Sequence, residues 1–370
     1  MELVEFFHKR INEMNKKVLI IHYEYKNSYC QKNLGLFARH MSKYYDVEFL
    51  TLKVRSYVPY DEKNIKIIEY KSNNYSSIYF WVVILLKLIT TRYVWCYYFE
   101  KKYHSLMFIV AKLIGVRVVV SLDSFWKPMN IDNSKEKLKN WLFEKALNCS
   151  YRILYQSDEL YELLPRQLKT KLTKYTVSYS EIFQPKADNI HRIVKNKDNL
   201  IIFSGCISPI KNIHLLICSY KQLKLQNAGW KLKIIGDIED ESYYDLLINM
   251  CKRDESISFT GFKTGNEYYH YFRRAKIFVL PSISEGQPNV IVEAMYWGCS
   301  VIATKQSNLG EFFDGRSIVQ VDPENQFDLN DKLFKMIHYY DNNISIQLHN
   351  RVLEKYLFEK NINKIIGEPH

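Results

Sequence analysis

A chain of 370 residues, 47% apolar and 15% aromatic, exceeds one ordinary core and suits two domains of about 150 to 200 residues each. No stretch is low-complexity or repeated at a fixed period, which excludes a disordered chain and a solenoid. The formal charge of +12 suits nucleic acid, anionic lipid or phosphorylated ligands, but the lysines are spread along the whole chain and choose none of them.

The opening MELVEFFHKR is acidic where an export signal is basic, so a cytoplasmic protein is expected. Elements then alternate: KVLIIHY reads as a buried strand, LGLFARHMSKYY as a helix, VEFLTL and IKIIEY as strands. IYFWVVILLKLIT, from Ile78 to Thr90, is the most apolar run. Lys87 interrupts it and Arg92 follows, leaving too few residues to cross a bilayer core of about 30 Å. It reads either as a helix buried against a sheet or as one lying at a membrane surface. A strand YVWCYYF, a helix HSLMFIVAKLIG stopped by Gly115, and the strands VRVVVSLD and YRILYQS complete the first half. Such alternation predicts a parallel sheet.

Between Phe183 and Asn199 the apolar periodicity lapses and charges gather, which marks a boundary. The expected division is a first domain over 1–185, a linker over 186–198, a second domain over 199–355, and a tail over 356–370 packing back on the first domain. The second domain opens with LIIFSGCISPIKNIHLLICSYKQL as strand, loop and helix. WKLKIIGD, ISFTGF, AKIFVLPS and CSVIAT supply four more short strands. Both halves thus read as doubly wound α/β domains, whose ligands bind at the carboxyl ends of strands, and the cleft between them is the expected active site. The seven cysteines are scattered, odd in number and without a C-x-x-C pair. That argues against a disulfide framework or zinc site and for a reducing compartment.

FVLPSISEGQPNVIVEAMYWGCSVIAT, Phe278 to Thr304, carries the chemistry. Glu285 follows a strand and precedes Gly286 and Pro288, so it is a loop carboxylate. Pro288 suits a first helical turn, NVIVEAMYW the helix, and Gly298 a left-handed C-terminal cap. Glu293 then lies about one turn inside. Backbone N–H groups near Asn289 and Val290, with the positive end of the helix dipole, favour a phosphate. Glu293 is placed to accept both hydroxyls of a ribose, with Glu285 on the sugar side of the phosphate.

PSISEGQPNVIVEAMYWGCSVIAT resembles the E-x(7)-E donor motif of the family-4 retaining glycosyltransferases of the GT-B fold, two Rossmann-like domains facing a cleft. SGCISPIKN, with Gly205, resembles the family's phosphate loop, IIGD and FTGF its nucleotide-side strands, and SNLGE its segment ending in Glu311. The matches cover most of residues 199–312, while the first half resembles the family in layout alone. The resemblance implies that Glu293 binds the ribose, Glu285 the donor sugar and Lys211 the diphosphate, with Gly286, Gln287, Asn289 and Val290 lining the loop. Cys206 stands where the family usually has a second diphosphate cation, arginine, leaving Lys211 alone or helped by Lys263. SLDSFW puts Asp123 where a sugar-contacting histidine is common. The N-terminal glycine loop is reduced to CQKNLG, with Gly35 approaching the β-phosphate and Asn33 capping the next helix.

The expected reaction moves a sugar from a nucleotide-diphosphate donor to an acceptor hydroxyl with retention, without metal or other cofactor. Lys211 and the helix amides stabilise the departing diphosphate, and no Asp-x-Asp metal motif stands out. The acceptor is expected on the first domain and to be a lipid-linked saccharide of bacterial cell-surface polysaccharide synthesis at the inner membrane face, with an anionic membrane surface as a further partner. Two rivals stay open: a nucleotide-sugar epimerase of the same fold, which needs an acid/base pair, and a catalytically weak glycan- or nucleotide-binding protein. A nucleic-acid binder lacks a motif, a Rossmann oxidoreductase lacks its G-x-G-x-x-G turn, and His22 reads as a satisfied histidine.

Overall fold

A computed structural model describes residues 17–22, 24–25, 33–51, 53–54, 63–70, 78–97, 101–122, 141–142, 144–155, 161–162, 164–174, 178–182, 184–252, 254–285, 288–304 and 318–366. The chain forms two compact units. The first runs to Thr176 and includes Asn361 onward; the second is Val177–Lys360.

The first unit carries β1 (Lys17–Ile21), α1 (Asn33–Met41), β2 (Asp46–Thr51), β3 (Ile65–Glu69), α2 (Ile78–Leu88), β4 (Thr91–Tyr97), α3 (Lys101–Leu113), β5 (Arg117–Leu122), β6 (Arg152–Tyr155) and β7 (Leu172–Lys174). These strands form one sheet in the order β3-β2-β1-β4-β5-β6-β7, every pairing parallel. The first connections wind outward from β1 to β3, and the β3–α2–β4 crossover then returns to the other side of β1. Right-handed crossovers therefore set α1 on one face of the sheet, and α2 and α3 on the other. The packing agrees. Phe37 of α1 meets Trp95 with ring centroids 4.0 Å apart, whereas Trp81, Ile84, Leu88, Met107, Phe108 and Ala111 share a separate core with Leu19, Val94 and Val118. Gly115, at φ 78, ends the α3 turn as expected.

The second unit contains α4 (Ile190–Lys195), β8 (Asp198–Ser204), α5 (Ile213–Gln222), β9 (Lys231–Ile235), α6 (Glu241–Met250), β10 (Ile257–Gly261), α7 (Gly265–Arg274), β11 (Ala275–Leu280), α8 (Asn289–Tyr296), β12 (Ser300–Thr304), β13 (Ile318–Val321), α9 (Gln326–His338) and α10 (Asn342–Lys355). Its sheet order is β10-β9-β8-β11-β12-β13, again all parallel. The chain thus steps from β8 toward β10 and resumes on the other side of β8 with β11. The carboxyl ends of β8 and β11 form the topological switch point, where a doubly wound sheet leaves a crevice. Within the stretch read as a linker, Ile190–Lys195 is helical, and Asn189 accepts from the Arg192 N–H at 2.9 Å as its N-cap. A last helix, α11, spans Phe358–Ile366.

Candidate functional site

The loop after β8 is shaped by two glycines. A Cβ on Gly236, at φ 152, would lie 1.8 Å from the Gly205 carbonyl oxygen, so the ends of β8 and β9 approach as only glycine permits. Hydrogen bonds from Gly205 N–H to Ile235 O (3.0 Å) and from Ile207 N–H to Asp237 O (2.7 Å) hold them together. The chain then makes a single 3-10 turn, Pro209–Lys211, before α5.

Lys211, in that turn, reaches the loop after β11: its Nζ donates to Glu285 Oε1 at 2.7 Å, and Ser282 Oγ donates to the same oxygen at 2.7 Å. Both charged side chains are largely buried, 18% and 12% exposed. The two loops are also tied through the backbone, Ile283 N–H to Ile210 O at 2.8 Å. Asn212, buried and left-handed at φ 56, donates to Pro281 O at 3.1 Å and Pro323 O at 2.8 Å, and Thr304 Oγ1 donates to Ser282 O at 2.8 Å. The two candidate catalytic side chains thus meet at the switch point on loops braced from three sides.

Helix α8 follows. Pro288 takes the position just before its first turn, one residue earlier than expected, and Gly298, at φ 67, closes it in the left-handed conformation. A Cβ at Gly298 would also lie 2.9 Å from Val194 Cγ2 of α4. Asn289 and Val290, half-buried, open the helix, where first-turn N–H groups have no partner within the helix. Glu293 points inward and is only 7% exposed. Tyr268 O–H donates to its Oε2 at 2.9 Å and Tyr269 O–H to its Oε1 at 3.3 Å. Tyr268 also meets Ser204 Oγ, at the end of β8, at 3.0 Å, and Gln184 Nε2 donates to Tyr269 Oη at 2.7 Å. Burial, and then the charge of Glu293, push the Tyr268 phenol well above its usual range, so it keeps the proton it donates.

Cys206 sits half-buried beside Lys211, with its Sγ 3.7 Å from Ser208 Oγ. Burial raises the thiol's pKa, and so does a hydrogen bond with Glu239. Lys263 pairs with Glu267 at 2.5 Å on the first turn of α7. Gly35 is buried in the first turn of α1, which begins at Asn33; the glycine is helical instead of lying in a loop, and Asn33 is the first helical residue instead of its cap. His22 is half-buried at the end of β1, its N–H bonded to Leu50 O at 3.1 Å. Asp123, Gly286, Gln287 and Glu311 lie outside the described residues. The tyrosine pair that holds Glu293, the Ser282 and Asn212 braces, and Glu239 were not anticipated. Their only sequence signal was adjacency, as in EYYHYF and PSIS.

Residues 186–347 match the family model described as glycosyl transferases group 1. The match lies within the second unit and covers less than half of the chain. Among curated proteins, a 4-alpha-N-acetylgalactosaminyltransferase of Campylobacter jejuni that acts on a diphospho-undecaprenol-linked saccharide is 33% identical over 135 residues, 35% of each chain. An uncharacterised glycosyltransferase of Methanocaldococcus jannaschii is 27% identical over 202 residues, 54% of this chain and 53% of that one. The chain spans about half the length, or less, of the curated relatives it matches. Solved structures extend the likeness to both units. HepE of Anabaena in complex with UDP superposes with a TM-score of 0.71 at 14% identity, covering 95% of this chain and 98% of that one. WaaG, a glycosyltransferase of lipopolysaccharide biosynthesis, gives 0.67 at 15%, covering 95% and 100%. The fold is therefore GT-B, as the motifs implied.

Proposed function

We propose that the protein is a retaining glycosyltransferase that moves a sugar from a nucleotide-diphosphate donor, a UDP-sugar, to an acceptor hydroxyl. The observation that carries this reading is the meeting of Lys211 with Glu285, 2.7 Å apart at the carboxyl ends of β8 and β11. An ammonium fixed there, beside the N-terminus of α8, stabilises the charge that gathers on the diphosphate as the glycosidic bond breaks. Glu293 takes the ribose hydroxyls, and Glu285 the donor sugar, exchanging part of its bond to Lys211 for the ligand. Gly205 lets the β8 loop approach the diphosphate, and Asn289 and Val290 supply N–H donors; Gly286 and Gln287 complete the set by resemblance. The departing phosphate takes the acceptor proton on the same face, so no strong general base is required. UDP in HepE supports the choice of base, and the diphospho-undecaprenol substrate of the Campylobacter relative supports a lipid-linked saccharide acceptor in bacterial polysaccharide synthesis.

A second reading, nucleotide-sugar binding with weak transfer, draws on Cys206 and its neighbour Glu239, which put a thiol and a carboxylate where a second cation would face the diphosphate. Binding of a panel of nucleotide sugars by calorimetry, followed by transfer of radiolabel from the tightest binder to a membrane extract, separates the two. Binding without transfer to any acceptor fraction would establish the second reading.

A further inference from the structure

The helical layer on one face of the first unit's sheet is apolar on both sides. Its inner side is core: Trp81, Ile84 and Leu88 of α2, Met107, Phe108 and Ala111 of α3, and Ala146 and Leu147 of the helical residues 144–147 pack together over the strands. Its outer side should be polar, as for any helix with one partner. Instead Val82 and Leu86 on α2, Leu106, Ile109 and Leu113 on α3, and Trp141 all face solvent, Leu86 at 62% and Leu113 at 79% exposure. Ile89 and Ile114, just past the two helix ends, are about half exposed as well. The α1 helix on the opposite face shows the contrast: none of its described apolar residues is exposed. The Ile78–Thr90 run is thus buried against the sheet on one side and bare on the other.

The charge around this layer is one-sided. Neither α2 nor α3 contains an acidic residue, and between Ile78 and Leu122 the basic residues Lys87, Arg92, Lys101, Lys102, Lys112 and Arg117 stand against the single acid Glu100, with Lys87 also paired to Glu48 of β2 at 2.5 Å. Lys112 is exposed next to Leu113 and adds to burial, the larger cause, in depressing the pKa of Lys171, and Lys145 lies over the Trp141 ring at 5.6 Å. Exposed aliphatic side chains, a tryptophan and a rim of cations are what an anionic bilayer interface selects. A second copy of the same face would set lysine against lysine. Among the described residues no helix is long and apolar enough to cross a membrane.

We propose that the outer side of α2 and α3, with Trp141, is a docking surface for an anionic phospholipid bilayer, which the protein binds reversibly without spanning it. This goes beyond the transfer reaction, and its test uses none of that chemistry. The full chain should float with vesicles of phosphatidylglycerol and phosphatidylcholine at low salt, and much less with phosphatidylcholine alone or at high salt. Each exposed lysine contributes about five-fold in partitioning, so Lys112→Glu with Lys145→Glu lowers it by about 25-fold or more. Leu106→Ser, Ile109→Ser and Leu113→Ser together lower it by about 100-fold. All five side chains are exposed, so near-native circular dichroism and unchanged thermal unfolding in the variants exclude misfolding as the cause. Absence of flotation with anionic vesicles at low salt overturns the proposal. So does light scattering that finds a dimer dispersed by the triple serine variant, since a second copy would then cover the face.

Discussion

Lys211 and Glu285 are 74 residues apart in sequence and 2.7 Å apart in space, joined where the sheet of the second unit changes direction. Largely buried, the pair costs desolvation that mutual charge and the Ser282 hydroxyl help to offset, so neither member is neutral to remove. Lys211→Ala should weaken UDP binding by about 1.5 to 3 kcal/mol, the range for a hydrogen bond to a charged group. Glu285→Ala should leave UDP affinity equal or tighter, because Lys211 loses its competitor, while turnover falls. Calorimetry with bare UDP, set beside initial rates, checks both. Equal loss of UDP binding in the two variants would show that Glu285 does not face the sugar.

Glu293 is held by Tyr268 and Tyr269 before any ligand arrives, a pre-oriented acceptor for a diol. Glu293→Ala should weaken UDP by about 1.5 to 3 kcal/mol and abolish its preference over the 2′-deoxy analogue. Tyr268→Phe keeps the ring but removes the hydroxyl shared with Ser204, and should cost a smaller part of the same preference. A Glu293→Ala protein that still discriminates between the two nucleotides would remove the ribose assignment.

Cys206 leaves the phosphate loop with one cation, and Glu239 beside it sets the outcome of replacing it. Cys206→Arg should tighten donor binding modestly, since the new guanidinium is partly neutralised by Glu239. Cys206→Arg combined with Glu239→Gln should tighten it further, by about ten-fold, as one charge-assisted hydrogen bond to phosphate predicts. Weaker donor binding in the double variant would mean that position 206 faces away from the diphosphate.

Most strands of both sheets were legible because each is a short run of Val, Ile, Leu and aromatic residues bounded by turn formers, the pattern of a strand buried on both faces. The short β7, LTK, and β13, IVQV, were not, since three or four residues with polar members carry no period. The α4 helix, IHRIVK, was hidden by its three basic residues, and its place in the fold comes from contact with Gly298 and α10. In the site, the loop and helix positions of Glu285 and Glu293 followed from glycine and proline spacing. Their partners did not: Lys211, Tyr268 and Tyr269 reach them only through the sheet order, which no local spacing encodes.

Gly236 tests how the phosphate loop is built. Alanine there would place its Cβ 1.8 Å from the Gly205 carbonyl oxygen at a φ of 152, so the ends of β8 and β9 must separate. Gly236→Ala should cost about 3 kcal/mol or more and also weaken UDP binding. Gly229→Ala, at φ 73 with nothing within 4 Å, is the control and should cost about 1 kcal/mol with UDP affinity intact. Urea unfolding and UDP titration of the pair check the difference. Equal costs would show that backbone conformation alone, and not the close approach, demands glycine at position 236.

His40, in the last turn of α1, gives the first unit an acid-side weakness. Burial, and then the nearby Lys43, hold its pKa down to about 4 from 6.5. Above pH 6.5 both the folded and the unfolded chain keep the imidazole neutral, and the group contributes nothing to a pH dependence. As pH falls from 6.5 to about 4 the unfolded chain takes up a proton that the folded chain refuses, so stability declines across that window. His40→Gln removes the titrating group while keeping a polar side chain of similar reach. The fall in unfolding free energy between pH 7.5 and pH 4.5 should therefore be smaller in His40→Gln than in the parent protein, with the two curves parallel above pH 7. If both proteins lose the same stability on acidification, protonation of His40 is not the cause, and the carboxylates of the unit carry the effect instead.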